Sequence, residues 1–291
     1  MEFSYFGKTD RLVSRLGFGG AVAGIENYLR PHDPSINKER DSALEAIHTA
    51  IKAGINFFDT APVYGDGLSE SLFGEALSDI PPEDIFLATK INSWGEVEVR
   101  KSVEESLQRL KRDFVDLIQI HGTSYSPELT QKLLRKNGMA EQLIRLKEEG
   151  LVRYVGFTSE DQNEAVYKMI RSGYFDSVQL CYNFIFQHPY DASRKCGTIY
   201  EAEKKGLGII VMRSATSMIF QKWINLVNPE NNFDYTPSLI QFTLSNPLVD
   251  VVLVGMSSSK RVLQNVAICD DLSGRIDIDA LHNTIIEKKH K

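Results

Sequence analysis

The sequence predicts an α/β fold, a (β/α)8 TIM barrel with an N-terminal β-hairpin. Two observations carry that expectation. Short apolar runs that stop on polar side chains alternate eight times with stretches whose apolar residues recur three and four apart, the patterns of buried strands and of helices packed on a sheet. The alternation also keeps time: Asp59, Lys90 and His121 each close such a run and follow one another at 31-residue intervals, about one strand–helix unit. A doubly wound open sheet is the alternative with the same alternation. A length of 291 residues allows two domains by size alone, but the unbroken beat favours one domain over residues 1–291.

Taken in order, residues 3–14 read as two short strands around Gly7-Lys8-Thr9-Asp10, a hairpin suited to plugging the bottom of a barrel. Leu16-Gly17-Phe18-Gly19-Gly20 is the first barrel strand running into a glycine-rich turn. It lacks the dinucleotide fingerprint Gly-x-Gly-x-x-Gly, because position 22 is Val. A polar loop over residues 21–37 leads to a helix marked by Leu44, Ile47 and Ile51 and ended by Gly54. The run Asn56-Phe57-Phe58-Asp59 is the second strand, followed by a Pro/Gly-marked loop that carries Tyr64. A helix over 69–77 stops before Pro81-Pro82, and 85–90 is the third strand. Val99, Val103, Leu107 and Leu110 line one helical face, and 115–121 is the fourth strand.

A loop over 122–138 precedes a helix over 139–149 that Gly150 ends. Strands over 151–158, 177–181, 208–212 and 251–255 follow, with helices over 162–172, 198–205 and 259–269. Between the last two strands lie a long insertion, 214–235, and a helix over 237–244, and 277–291 reads as a terminal helix. In such barrels the chemistry sits at the C-terminal ends of the strands, where Asp59, Lys90, His121 and Thr158 fall, and the three long connections wall a pocket on that side.

Composition narrows the partners. Hydrophobic residues at 42% and charged residues at 25% fit a globular protein with a substantial core rather than a disordered chain. A net charge of −6, with no basic run beyond Lys288-Lys289-His290-Lys291, gives no basis for a nucleic acid or membrane partner, so a small molecule is expected. Cys181, Cys196 and Cys269 suit neither a disulfide framework nor a thiolate metal site. With no apolar leader and no membrane-length run, a cytoplasmic location is expected.

The strand-end residues form a recognisable chemical set. Singly, an Asp there is usually a cap, a Lys is usually solvated and a His is usually structural; together they bring a carboxylate, an amine and an imidazole to one side of one sheet. A phenol's pKa of about 10 is too high for ready proton exchange at neutral pH. An adjacent ammonium favours the phenolate, and a buried carboxylate keeps that amine charged. Asp59, Lys90 and Tyr64 therefore make a general acid/base, with His121 able to hydrogen-bond a reacting oxygen. Hydrolase and metalloenzyme readings lack their motifs: Gly67-Leu68-Ser69-Glu70-Ser71 does not satisfy Gly-x-Ser-x-Gly, and there is no His-Glu-x-x-His. Lys90 as a Schiff-base amine is disfavoured, since a paired ammonium is a poor nucleophile.

Phe58-Asp59-Thr60-Ala61 with Tyr64-Gly65, Ala88-Thr89-Lys90, and Asp116-Leu117 with His121 resemble the Asp-Tyr-Lys-His tetrad of the aldo-keto reductases. Arg153–Ser159, Gln179–Asn183 and Gly255–Ser258 extend the resemblance over nearly the whole chain. It implies a metal-free barrel that binds NADP(H) in extended form, with NAD(H) left open, and transfers hydride directly between a carbonyl and an alcohol, a sugar among the candidates. It also implies Thr158, Ser159 and Gln179 at the nicotinamide carboxamide, with Gly19, Asp59, Arg213 and Ser214 beside them. Ser257, Ser258 and Arg261 would meet the 2′-phosphate, and Gln264 and Asn265 the adenine. Two positions depart from the family pattern: Arg213 stands where many members place a stacking aromatic, and Met256 where many place a phosphate-binding Lys. The stretch from Ser257 to Arg261 is also an ordinary helix start with a serine cap. A different class remains as the alternative, a regulatory or sensor subunit that binds NADP(H) with little turnover.

Overall fold

A computed structural model describes residues 1–28 and 33–282. Strands β1 (Phe3–Tyr5) and β2 (Leu12–Ser14) form an antiparallel pair, as the hairpin pattern predicts. Eight parallel strands then close on themselves: β3 (Leu16–Gly19), β4 (Phe57–Asp59), β5 (Phe86–Asn92), β6 (Val115–His121), β7 (Val152–Ser159), β8 (Ser177–Cys181), β9 (Gly208–Met212) and β10 (Val251–Gly255). Closure comes from β10, which pairs with β9 on one side and with β3 on the other, Val254 opposite Phe18. The fold is a (β/α)8 barrel, and the open-sheet alternative falls.

Alternation along the strands sorts side chains into two environments. Outward-facing Phe58, Leu87, Ile118 and Val178 pack under the surrounding helices in one large apolar cluster. The inward set is divided by height. Its lower part is apolar, with Phe57, Phe86, Ala88, Leu117, Ile210 and Leu253 gathered around Phe6 and Val13 of the hairpin. The Phe6 ring lies 4.8 Å from that of Phe86, which stacks on Phe57 at 5.0 Å. The upper part is polar and holds Asp59, Lys90, Gln119 and Gln179, all buried.

The hairpin therefore plugs the barrel floor, and Asp250 fastens it there. The Asp250 carboxylate accepts from the Gly7 amide at 3.1 Å and from the Ile209 amide at 2.9 Å. Burial pushes its pKa up to about 6. Gly7 has φ +54°, and a Cβ there would stand 2.4 Å from the Gly208 amide nitrogen, so only glycine fits.

Several boundaries differ from the sequence expectation. Strand β5 continues two residues past Lys90, because Ile91 and Asn92 pair with Ile120 and His121; Lys90 thus sits inside the strand rather than at its end. The loop predicted over 122–138 contains a helix, Pro127–Leu134, capped by Ser126, whose hydroxyl accepts from the Leu129 amide at 3.1 Å. The loop predicted over 21–37 opens with a one-turn helix, Ala21–Gly24. The 214–235 insertion holds a helix, Ile219–Val227. Of the predicted terminal helix, residues 278–282 are helical and 283–291 lie outside the described residues. Among the described residues no helix is long and apolar enough to cross a membrane.

Candidate active site

Asp59 is the last residue of β4, and Lys90 rises beside it from β5. The ammonium donates to Asp59 Oδ2 at 2.6 Å and to the Thr60 carbonyl at 2.7 Å, with both side chains almost fully buried. Burial works against charge on Lys90, but Asp59 and then Tyr64 outweigh it, holding the amine above the ordinary lysine range. On Asp59, burial pushes the pKa up while Lys90 and Gln119 pull it back. Such a pair persists because each charge satisfies the other where water does not reach.

Tyr64 rides on the loop between β4 and the helix Leu68–Ala76. That loop is tied down by a relay of hydroxyls: Thr60 Oγ1 donates to Ser69 Oγ at 2.8 Å, and Ser69 donates to the Gly20 carbonyl at 3.0 Å. Gly65, at φ +66°, turns the chain; a Cβ there would lie 2.0 Å from the Gly24 carbonyl oxygen. The Lys90 ammonium lies 4.9 Å from the centre of the Tyr64 ring. The sequence predicts that this cation draws the phenol toward the phenolate. In the structure burial outweighs Lys90, and the phenol lies above the ordinary tyrosine range. Tyr64 therefore keeps its proton at neutral pH.

His121 ends β6 with its ring edge-on to Tyr64 at 6.0 Å. Burial and the nearby Lys90 charge lower its pKa from 6.5 to about 3, so the imidazole is neutral. Its Nδ1 is buried without a partner. Trp94, half-exposed, stands 5.5 Å away and flanks the imidazole. Four residues from three consecutive strands and one loop thus converge on one spot.

That spot opens into a cleft of about 260 Å³. Asp59, Tyr64 and His121 line it, and so do Gly19, Thr158, Gln179, Arg213 and Ser214 of the predicted cofactor set. Past Val22, Tyr28 and Gly255 a second groove of about 540 Å³ continues it, lined by Ser257, Arg261 and Asn265. The two share walls and form one elongated channel.

Of the predicted cofactor residues, three fall outside this lining, and of the catalytic set Lys90 lies beneath it. Ser159 is fully buried, its hydroxyl exchanging hydrogen bonds with the Asp161 backbone at 3.1 Å. Ser258 caps the helix Ser259–Asp270, accepting from the Arg261 amide at 3.4 Å, the ordinary role of a serine there. Gln264 faces solvent on that helix, with its amide oxygen 3.5 Å from the Arg261 guanidinium. Some lining residues have their polar atoms engaged already. Thr158 exchanges hydrogen bonds with the Gly122 backbone at 2.8 and 3.0 Å, and Ser214 donates to the Leu253 carbonyl at 3.0 Å. The two unusual positions have physical accounts. Met256 is fully buried in the core and meets no part of the groove. Arg213 forms an ion pair with Glu160 at 2.6 Å and donates to Ser217 at 3.0 Å, its backbone in the left-handed region at φ +59°. Asn183 donates to the Arg213 carbonyl at 3.0 Å and helps hold that turn.

The sequence reading did not assign roles to Gln119, Trp94, Tyr28 or Glu160. For Gln119 a signal existed: in β6 it shares an inner face with Leu117 and His121, two apart on either side, and a lone amide on such a face is unusual. The other three stand on connections that only the fold brings together, Tyr28 and Glu160 at the cleft and Trp94 beside His121.

The sequence profile described as "Aldo/keto reductase family" matches residues 15–239. L-galactose dehydrogenase of Arabidopsis thaliana is 29% identical, over 94% of this chain and 89% of that protein. Among solved structures, the holo form of an aldo-keto reductase from Bacillus halodurans superposes with a TM-score of 0.75 at 24% identity, covering 99% of this chain and 96% of the other. An aldo/keto reductase from Klebsiella pneumoniae, in complex with NADP and acetate, gives 0.72 at 20% identity over 97% and 93%. With the profile spanning most of the barrel and the same architecture recurring in these structures, the chain belongs to the aldo/keto reductase family.

Proposed function

We infer that the protein is an NADP(H)-dependent oxidoreductase that interconverts an aldehyde or ketone, sugars among them, with the corresponding alcohol, Tyr64 serving as general acid and base. One observation carries this reading: a protonated phenol and a neutral imidazole stand together above a buried Asp59–Lys90 ion pair, at the mouth of an elongated cleft. The cleft suits a dinucleotide in its chemistry. Polar groups lie at both ends, apolar Val22 and Val254 lie between, and the cation of Arg261 lines the far end beside the start of the helix Ser259–Asp270. Gln179, Arg213 and Ser214 would hold the nicotinamide end, with Gly19 and Thr158 shaping the wall there. Ser257, Arg261 and Asn265 would hold the adenosine end. The NADP complex of the Klebsiella protein and the dehydrogenase activity named for the Arabidopsis protein support the same reading. NADP(H), when bound, supplies or takes up the hydride.

The chain's own groups handle the proton. Tyr64 donates it to the carbonyl oxygen during reduction and takes it back during oxidation. Lys90 stabilises the phenolate left behind, and Asp59 keeps Lys90 charged. His121, being neutral, offers a hydrogen-bond donor to the reacting oxygen without adding a formal charge. The lining comes from Gly19 through Asn265, so the reading takes the chain as one catalytic domain.

The test is the change in NADPH absorbance with a panel of aldehydes and ketones, and of NADP⁺ with sugars and alcohols. On any substrate found, Tyr64→Phe should lower kcat at least ~10²-fold, the scale of a lost general acid, while NADPH affinity stays within about twofold. Activity retained in that variant refutes the role of Tyr64. Tight NADPH binding with no turnover across the panel replaces the enzyme by a nucleotide-binding regulatory protein.

A further inference from the structure

Gln119 is fully buried in the upper interior of the barrel, on β6 between Lys90 of β5 and Gly156 of β7. Its amide nitrogen donates to two acceptors, Asp59 Oδ1 at 3.1 Å and Gln179 Oε1 at 3.1 Å. Its carbonyl oxygen has no partner, although it is buried. An apolar side chain of the same size would avoid that unsatisfied atom, so packing alone does not explain an amide at this position.

An ionised carboxylate only accepts hydrogen bonds. Asp59 therefore compels Gln119 to turn its nitrogen, not its oxygen, toward the ion pair. That nitrogen then reaches Gln179 as a donor, and Gln179 must answer with its oxygen. The Gln179 nitrogen is consequently left on the other side, 3.5 Å from Met212 Sδ, in the wall of the cleft. One fixed charge thus decides the orientation of two amides in series, the second of which lines the cleft.

The geometry points to Gln119 as a positioning residue: it transmits the charge of Asp59 to Gln179, so that Gln179 presents an N–H donor to the cleft, matched to the carbonyl oxygen of a carboxamide. This assignment rests on the nicotinamide cofactor inferred above. It also ties Asp59 to cofactor orientation, in addition to its support of Lys90. Without the Gln119 donor, Gln179 is free to rotate and offer its oxygen instead, which a carboxamide carbonyl would meet as a like pole.

Three variants test it, with NADPH affinity read by fluorescence titration and the fold by thermal unfolding. Gln119→Met keeps the size and removes both hydrogen bonds; NADPH binding should weaken about 3- to 10-fold, the scale of one hydrogen bond, with the melting transition retained. Gln179→Met should weaken binding similarly, and the double variant should be no weaker than Gln179→Met alone, because Gln119 acts through Gln179. Gln119→Glu adds a pH readout that a merely structural role would not produce. Its carboxyl, next to Asp59, must be protonated to donate, so NADPH binding in that variant should weaken as pH rises from 5 to 8, more steeply than in the wild type. Wild-type affinity in Gln119→Met, or additive losses in the double variant, would overturn the assignment while leaving the cofactor reading in place. A wild-type protein that binds no NADPH removes both.

Discussion

Lys90→Met puts the buried ion pair to a quantitative test. Lys90 and Asp59 are 1% and 4% exposed and 2.6 Å apart. Removing the amine leaves the Asp59 carboxylate with the Gln119 amide at 3.1 Å as its remaining side-chain donor, and it strips the Thr60 carbonyl of its 2.7 Å partner. Breaking one half of a buried pair typically costs about 3–5 kcal/mol, and an orphaned carbonyl accounts for about 1–3 kcal/mol within such a total. We expect urea unfolding, followed by far-UV circular dichroism at pH 7, to show a loss of about 4 kcal/mol. Asp59→Asn with Lys90→Met removes the stranded charge and should recover roughly half, leaving the unsatisfied Thr60 carbonyl. The pH dependence has a definite sign. Burial already holds the folded-state pKa of Asp59 above its ordinary value, and without Lys90 it rises further, so stability from this group is present at low pH and is lost as pH climbs through the raised value. The deficit of Lys90→Met should therefore be smaller at pH 5 than at pH 7. A loss under about 1 kcal/mol at pH 7, or a double variant no more stable than the single, would show that the pair does not have the energetics its burial implies.

Two other substitutions probe the far end of the cleft and the barrel floor. Arg261→Ala should weaken NADPH several-fold more than NADH, an effect that shrinks as salt rises because Arg261 is exposed; equal weakening of both nucleotides would remove its contact with a 2′-phosphate. Asp250→Asn should be at least as stable as the wild type at pH 7. The buried carboxyl titrates at about 6 against an ordinary 3.8, so its contribution is full below the ordinary value and fades as pH rises to about 6. The difference between variant and wild type should grow over that window by on the order of 2–3 kcal/mol in urea unfolding, the equivalent of a two-unit shift, since the amide oxygen can still accept from Gly7 and Ile209. Parallel stability curves would show that Asp250 is not strained by its burial.

What could be read directly was whatever has a local period. Apolar runs in the strands, spacing of three and four in the helices, and the regular recurrence of Asp59, Lys90 and His121 lay out a strand–helix series and the edge where those three residues gather. These patterns reflect which face of each element avoids water, a property of a few neighbouring residues. The helix Pro127–Leu134 was legible in the same way, from Ser126-Pro127-Glu128, but its polar neighbours masked it.

The sequence by itself thus determined the order of the strands, the hairpin plug and the proposal of Asp59, Tyr64, Lys90 and His121 as one group. Tertiary structure alone decided the closure of β10 on β3, the burial that outweighs Lys90 at Tyr64, the burial of Met256 and Ser159 away from the cleft, and the Asp59–Gln119–Gln179 series. The physical reason is that these depend on register between strands distant in the chain and on how much solvent each side chain keeps. Asp59 and Gln179 are far apart in sequence, yet one amide joins them only because the barrel's pairing sets β4, β6 and β8 at matching heights. No run of neighbouring residues carries that information.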